Sequence, residues 1–372
     1  MKIQVLSLAL LICLSLNAQD HSHKSTRAFS FPDVSGYKTL TTDFHQHTVF
    51  SDGNVWPTIR IMEALRDNLD AVSLTEHLEY QPHSEDIPHP DRNRAYQIAL
   101  NEAKSHDLMV ISGSEITRGA PIGHSNALFV TDANKLLVDK AEDAFASAKK
   151  QDAFVFWNHP AWYPQNPNGN PKLSDFQKER IKNGELHGIE VINDGDYAEE
   201  SLAMALENNL TIMGTSDIHG LIDWHFKEKG HSRPITLVFA KERTKAALKE
   251  ALLAGRTVAV FDELLVGKEE YLKPLLKACI EISDIAYINK TSILKVTLTN
   301  NSSSDLLFQN KMPYTFYSHP PLFTVPAKGS TTLQIKTLEK KENITLSLEA
   351  VGTYMAPKQH PTIEWEIEVG TE

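Results

Sequence analysis

The sequence predicts an α/β chain followed by a small antiparallel β-sandwich, and three observations carry that reading. Short apolar or β-branched runs alternate with amphipathic segments of helical period between about residues 38 and 262. Most of those runs lead into a His, Asp or Glu. After about residue 265 the pattern changes to short alternating runs separated by Asn, Ser, Pro and Gly.

The strand-like runs of the first region are 39–44, 71–74, 108–113, 125–130, 153–157, 188–192, 211–214 and 235–239. Helix-like segments fall between them, at 57–68 with Pro57 early in the first turn, and at 141–150, 197–208 and 244–254. Gly255 closes the last of these. Such alternation implies a parallel sheet with helical crossovers, and seven or eight units favour a closed barrel over an open sheet. Residues 269–280 fit one helix, and the runs 292–298, 331–336, 343–348 and 362–369 have the spacing of a sandwich. The expected organisation is therefore a lead-in over 19–37, a barrel over 38–265, and a helix plus β-sandwich over 266–372.

The N-terminus is a separate element. Lys2 precedes an apolar stretch from Val5 to Leu16, and Asn17-Ala18 stand before the polar Gln19-Asp20. That is the pattern of a secretory signal peptide over residues 1–18, its apolar run being too short to span a bilayer. The mature protein is then expected in a periplasmic or extracellular space. A lipoprotein signal is disfavoured, because Ile12 and not a small residue precedes Cys13. With Cys13 removed, Cys279 has no intramolecular partner. The net charge of −11 argues against a nucleic-acid partner, since polyanions are bound by basic grooves. No later run predicts a membrane helix.

Ligand-type residues gather at the strand ends. His45-Gln46-His47 follows the first run, and residues two apart on a strand point the same way, so both imidazoles face one site. Asp43 shares that face. Asp52 sits in the turn Ser51-Asp52-Gly53. Later runs lead into Thr75-Glu76-His77, Ser114-Glu115, Asn158-His159-Pro160 and Ser216-Asp217-Ile218-His219, while His124 precedes its run. A single such His is usually a hydrogen-bonded core or loop residue. Six separated segments choosing ligand types is another matter, because the strand ends of a parallel barrel meet on one face. His83, His89, His319 and His360 lie beside prolines or in loops, and His21 and His23 lie in the lead-in, so none of these is assigned to the site.

This ordered set resembles the PHP (polymerase and histidinol phosphatase) family over roughly residues 40–240. The resemblance implies a distorted seven-stranded β/α barrel holding three divalent ions. It implies His45, His47, Glu115 and Asp217 around a first ion, with Glu115 bridging to a second held by His124 and His159. Asp52, His77 and His219 would hold the third. Some members have His at the position of Asp52, and a carboxylate there favours harder ions such as Mn²⁺. The donor set suits Mn²⁺ or Zn²⁺, and Fe²⁺ as well, while the lack of thiolates excludes a Cys-type zinc site. Glu115, Asp217 and His219 are the expected catalytic residues, with ions that activate water and neutralise a phosphate ester. Arg118, His231 and Arg233 are candidates for holding the substrate's phosphate, and Trp162, Tyr163 and Trp224 for an apolar wall. Glu190 and Asn193 are candidates for supporting the ligands.

The stretch 216–224, together with a signal peptide and a β-rich tail, resembles secreted PHP-family phosphodiesterases, and that resemblance implies a small phosphodiester as substrate. A monoesterase of histidinol-phosphatase type is the alternative within the same chemistry, and a non-catalytic metal-binding surface protein is the alternative outside it.

Overall fold

The computed structural model describes residues 28–369. The signal-peptide segment, His21 and His23 lie outside them.

In chain order the first region contains β1 (Lys38–Asp43), α1 (Pro57–Arg66), β2 (Ala71–Ser73), α2 (Arg94–Ala103), β3 (Met109–Ile111), β4 (Gly113–Ile116) and β5 (Ser125–Leu128). It continues through α3 (Ala141–Lys150), β6 (Phe154–Trp157), α4 (Asp175–Lys182), β7 (Gly188–Asn193), β8 (Asp196–Tyr197), α5 (Glu199–Glu207) and β9 (Thr211–Thr215). It ends with α6 (Ile222–His225), β10 (Ile235–Ala240), α7 (Lys245–Leu253), β11 (Thr257–Phe261) and β12 (Leu264–Gly267). Local chemistry sets the helix ends. Pro57 starts α1, where its missing N–H belongs to a turn without an acceptor. Thr244 caps α7 by accepting from the Ala247 amide at 3.2 Å, and Gly255 follows the helix with φ +68°, a conformation cheap only for glycine.

The second region opens with α8 (Glu269–Cys279) and contains β13 (Ile280–Tyr287), β14 (Ile293–Asn300), β15 (Leu306–Asn310), β16 (Thr315–Phe316) and β17 (Leu322–Val325). It closes with β18 (Ser330–Lys336), β19 (Asn343–Ala350), β20 (Thr353–Tyr354) and β21 (Thr362–Glu368). Two four-stranded sheets, β13-β14-β18-β16 and β17-β15-β19-β21, form the expected sandwich. Their strands alternate buried and exposed residues, as Ile344, Leu346, Leu348 and Ala350 show on β19.

The first region is mixed, not parallel, and this corrects the sequence expectation. One sheet runs β20-β12-β11-β10-β1-β2-β3, and the other β4-β5-β6-β7-β8, with β9 also paired to β7. Pairings β1–β2, β2–β3, β6–β7 and β7–β9 are parallel. Pairings β1–β10, β10–β11, β11–β12, β4–β5 and β5–β6 are antiparallel. An apolar run carries no record of its direction, and β11 and β12, joined by only Asp262 and Glu263, are a hairpin without a crossover helix. The run 108–113 also splits in two around Ser112, so Glu115 lies within β4 and not beyond a strand end.

Leu40, Phe44, Ile111, Leu128, Phe154, Phe156, Met213 and Val238 form a core contributed by both sheets. A larger cluster runs from Phe239, Val258 and Leu265 through Leu272, Leu275 and Leu276 of α8 to Val296, Leu298 and Leu348 of the sandwich. Burying each of those α8 leucines contributes about 1.5–3 kcal/mol, so the helix joins the two regions through apolar contact. Among the described residues no helix is long and apolar enough to cross a membrane.

Candidate metal centre

All nine predicted ligands come together. His77, His124, His159, Asp217 and His219 flank four different strands, Asp52 sits in the turn beyond β1, His45 and His47 lie just past β1, and Glu115 lies within β4. The extended backbone continues beyond β1, where Gln46 bridges Ile218 and the His47 amide donates to the Ile218 carbonyl at 3.0 Å. His45 and His47 therefore keep the alternation of the strand and face one side. Asp52 is delivered by a turn packed directly on this segment. A Cβ on Gly53 would meet the His47 carbonyl carbon at 2.6 Å, so no other residue permits that approach. Two ligands sit on left-handed backbone, His159 at φ +31° and Asp217 at φ +49°, a local cost that the surrounding structure must offset.

The distances describe overlapping ligand groups. His45 Nε2 and His47 Nε2 each lie 3.1 Å from Asp217 Oδ1, and 3.6 and 3.4 Å from Glu115 Oε2. Ligands about 2.0–2.1 Å from a common ion stand roughly 3.3 Å apart in a tetrahedron, which is the spacing found. On its other side Glu115 Oε1 is 2.8 Å from His124 Nδ1 and 3.7 Å from His159 Nε2. Asp52 lies 3.2 Å from His219 Nε2 through one oxygen and 3.4 Å from His77 Nε2 through the other. Four groups of three or four side chains thus have ligand atoms within 4.8 Å of one another. Glu115 belongs to two of them, and His47 joins the group around Asp52 as well.

Polar satisfaction tests whether ions fit here. His45 Nε2, His47 Nε2, Asp52 Oδ1, Glu115 Oε2, His124 Nδ1 and Asp217 Oδ1 are buried without a hydrogen bond of acceptable geometry. Each such atom costs about 1–3 kcal/mol if left unsatisfied. Six of them converging on one volume, all of nitrogen or carboxylate type, are what divalent cations require.

The charges are strongly coupled. Burial works against an imidazolium at His45, but Asp217 and Glu190 beside it hold its pKa well above the ordinary value. His77 is likewise raised to about 10 by Glu115 and Asp52 in spite of burial. His47 goes the other way, to about 3, through burial and the neighbouring charge of His77. Burial opposes ionisation of Glu115, Asp217 and Asp52, yet the surrounding histidines hold all three below the usual carboxylate range. Coordination of an ion replaces the shared protons with metal charge.

Comparison with known proteins bears directly on this cluster. A two-domain protein from Bacteroides vulgatus, described as containing a predicted PHP-like metal-dependent phosphoesterase, superposes with a TM-score of 0.85 at 38% sequence identity. The match covers 92% of this chain and 98% of that one. The chain belongs to the PHP family. A second structure, a putative metal-dependent phosphoesterase from Bifidobacterium adolescentis, aligns at 18% identity and a TM-score of 0.38, over 48% of this chain and 88% of that one. The DUF5001 model of an Ig-like domain matches residues 280–366, the region of the sandwich. No curated protein matches the chain.

The PHP cluster rests on partners that the sequence only partly announced. His45 Nδ1 donates to Glu190 Oε1 at 2.7 Å, an arrangement that turns Nε2 toward the cluster. Glu190 also accepts from Thr215 Oγ1, the His159 amide and Asn193 Nδ2. Glu190→Gln should therefore lower metal affinity by roughly 10–100-fold, read by competition with a chelator. Unchanged affinity would reduce Glu190 to a packing residue. Glu76, passed over inside Thr75-Glu76-His77, accepts from Ser51 Oγ, Thr48 Oγ1 and the Thr48 amide. It thereby holds the loop that carries His47 and Asp52. Buried Arg60 donates to the carbonyls of His47, Ile218 and His219 at 3.0–3.1 Å and so ties two ligand loops together. An arginine on a helix reads as surface charge, and nothing in the sequence marks it otherwise. Asn158 Nδ2 donates to Glu115 Oε1 at 3.0 Å.

Each of the three candidates for binding phosphate has a partner within the protein. Arg233 is buried, 3.2 Å from Asp43 and 3.1 Å from Asp67, and supports the fold from within. Arg118 spends one arm on Glu79 at 2.8 Å and the other on the Val138 carbonyl at 2.6 Å. His231 pairs with Asp262 at 2.6 Å in a groove lined by Phe29 and Ser303–Asp305, none of which is a ligand. Of the aromatic candidates, Trp162 stands 5.0 Å from His159 and 5.6 Å from His124 by ring centres and is 46% exposed. Tyr163 is 72% exposed beside it, and Trp224 is exposed on α6.

Proposed function

We propose that this PHP protein is an exported phosphodiesterase that uses three divalent ions of the Mn²⁺, Zn²⁺ or Fe²⁺ kind. The observation that carries the reading is Glu115, whose two carboxylate oxygens face two different histidine groups across one volume. When bound there, divalent ions lower the pKa of water and neutralise charge on a phosphate ester. The chain's own residues do the rest. His45, held by Glu190, and His47 and Asp217 define the inner wall, while Glu115 spans to His124 and His159. His219 is the most exposed of the nine ligands at 38%, and stands with Asp52 and His77 where a substrate oxygen enters. Hydrolysis breaks one P–O ester bond, joins the oxygen of water to phosphorus, and leaves the proton on the departing alcohol.

Two features favour a diester over a monoester. Arg118, Arg233 and His231 are each engaged within the protein, so the cluster gains no further cation from them for a dianionic terminal phosphate. The exposed rings of Trp162 and Tyr163 beside His159 give a second ester group an apolar surface. The acidic balance favours a small substrate over nucleic acid, and export follows from the residue 1–18 pattern.

The test uses exported mature protein, whose N-terminus should be Gln19, loaded with Mn²⁺ or Zn²⁺. It should hydrolyse bis-p-nitrophenyl phosphate faster than p-nitrophenyl phosphate. Turnover of the monoester alone would reverse the preference, and no turnover of either with ions bound would leave a metal-binding protein. Retention of residues 1–18 on protein kept in the cytoplasm would overturn export.

A further inference from the structure

Beside the cluster lies a second cavity of about 400 Å³, and His159 borders both. Its wall carries three aromatic rings, Trp162, Tyr163 and Tyr197, together with the carboxylates of Asp196 and Glu200 and the already engaged Glu190, and no Lys or Arg lines it. Asp196 and Glu200 are both exposed, and neither has an ion-pair partner among the described residues, so their charge is directed at solvent and the cavity. The aromatic wall is held from behind. Tyr197 stacks on Tyr354 with ring centres 5.3 Å apart, and Tyr354 stands on β20, which leaves the sandwich to pair with β12. The Leu265 amide bonds the Gly352 carbonyl at 3.1 Å at the start of that pairing. The Ig-like region thus braces one side of a cavity that opens on a ligand of the cluster.

Aromatic faces attract cations through their quadrupole, and unpaired carboxylates beside them add to that attraction. The same wall repels a second phosphate or a carboxylate. We propose that this cavity binds an ammonium-bearing ester group of the phosphodiester substrate, with Trp162, Tyr163, Tyr197 and Glu200 as the residues that select it. The proposal rests on the phosphodiesterase reading and adds the class of one ester group. The bonds made and broken are unchanged, since the ammonium group is held and takes no part in the displacement.

The experiment compares three substrates on the metal-loaded full chain. They are p-nitrophenyl phosphorylcholine, its uncharged 3,3-dimethylbutyl isostere, and bis-p-nitrophenyl phosphate. The choline ester should show a KM roughly tenfold below that of the isostere, with similar kcat, an advantage of the size expected of a partly desolvated cation–π contact. Glu200→Gln, a change on an exposed first turn, and Tyr197→Leu should each shrink that KM ratio toward one. Tyr197→Phe should retain it, because the ring face and not the hydroxyl is used. Equal KM values for the choline ester and its isostere, with all three substrates turned over, would overturn this inference alone. Absence of turnover on all three would overturn the phosphodiesterase reading and this inference with it.

Discussion

Glu115→Ala should lower kcat on a diester by roughly 10³-fold or more, because it removes several kcal/mol of charge stabilisation at the reacting centre. Glu115 has one oxygen 3.4 Å from His47 and the other 2.8 Å from His124. Asp217 also reaches both sides, 3.1 Å from His47 and 3.8 Å from His159, but among the described residues Glu115 alone pairs with His124 as well, so the loss has no full substitute. The metal content of the purified variant, measured by elemental analysis, should fall together with the rate. Glu115→Gln separates charge from shape. It keeps the volume and the contact with Asn158, yet offers neutral amide atoms where the native residue is ionised. Its rate should fall nearly as far as that of the alanine variant. Native rates with a full complement of ions in either variant would sink the site as drawn.

Arg233→Met should destabilise the fold by about 3–5 kcal/mol, the usual result of removing one partner from a buried ion pair. The guanidinium lies between Asp43 and Asp67, and the Asp43 carboxylate also accepts from Ser216 Oγ at 2.5 Å. Losing the arginine leaves the buried Asp43 carboxyl, which accepts from Ser216 just before Asp217, without its cationic partner. The measurement is the denaturant midpoint of the variant against the native chain, followed by KM of the folded fraction. A lowered midpoint with native KM matches a supporting role. A native midpoint with a raised KM would return Arg233 to the substrate.

The ligand positions were legible because their signal is local. Metal chemistry restricts a position to His, Asp or Glu, and strand geometry places i and i+2 on one side, so His45 with His47 and Asp217 with His219 read as pairs. Turn chemistry marked Ser51-Asp52-Gly53 as a turn, the family resemblance made Asp52 a ligand, and the close contact beneath Gly53 shows why the turn needs its glycine. The sandwich was visible through the period-two burial of strands such as β19.

What stayed hidden depends on residues far apart in the chain. Arg60 and Arg118 look alike as residue types, but one binds carbonyls 158 and 159 positions away and the other binds Glu79. The direction of β10 against β1 has no local signature, which is why a parallel barrel was expected where mixed sheets occur. Nor does any spacing reveal that β20 crosses from the sandwich to β12 and sets Tyr354 against Tyr197. By itself the sequence marked the strand-end positions of ligand type, since donor chemistry and strand period are properties of the residues and their neighbours, and the resemblance to the PHP family picked the nine from among them. Only the tertiary structure decided which charges support those ligands, which strands run together, and what wall stands beside them, because each of these is a choice of partner made across the fold.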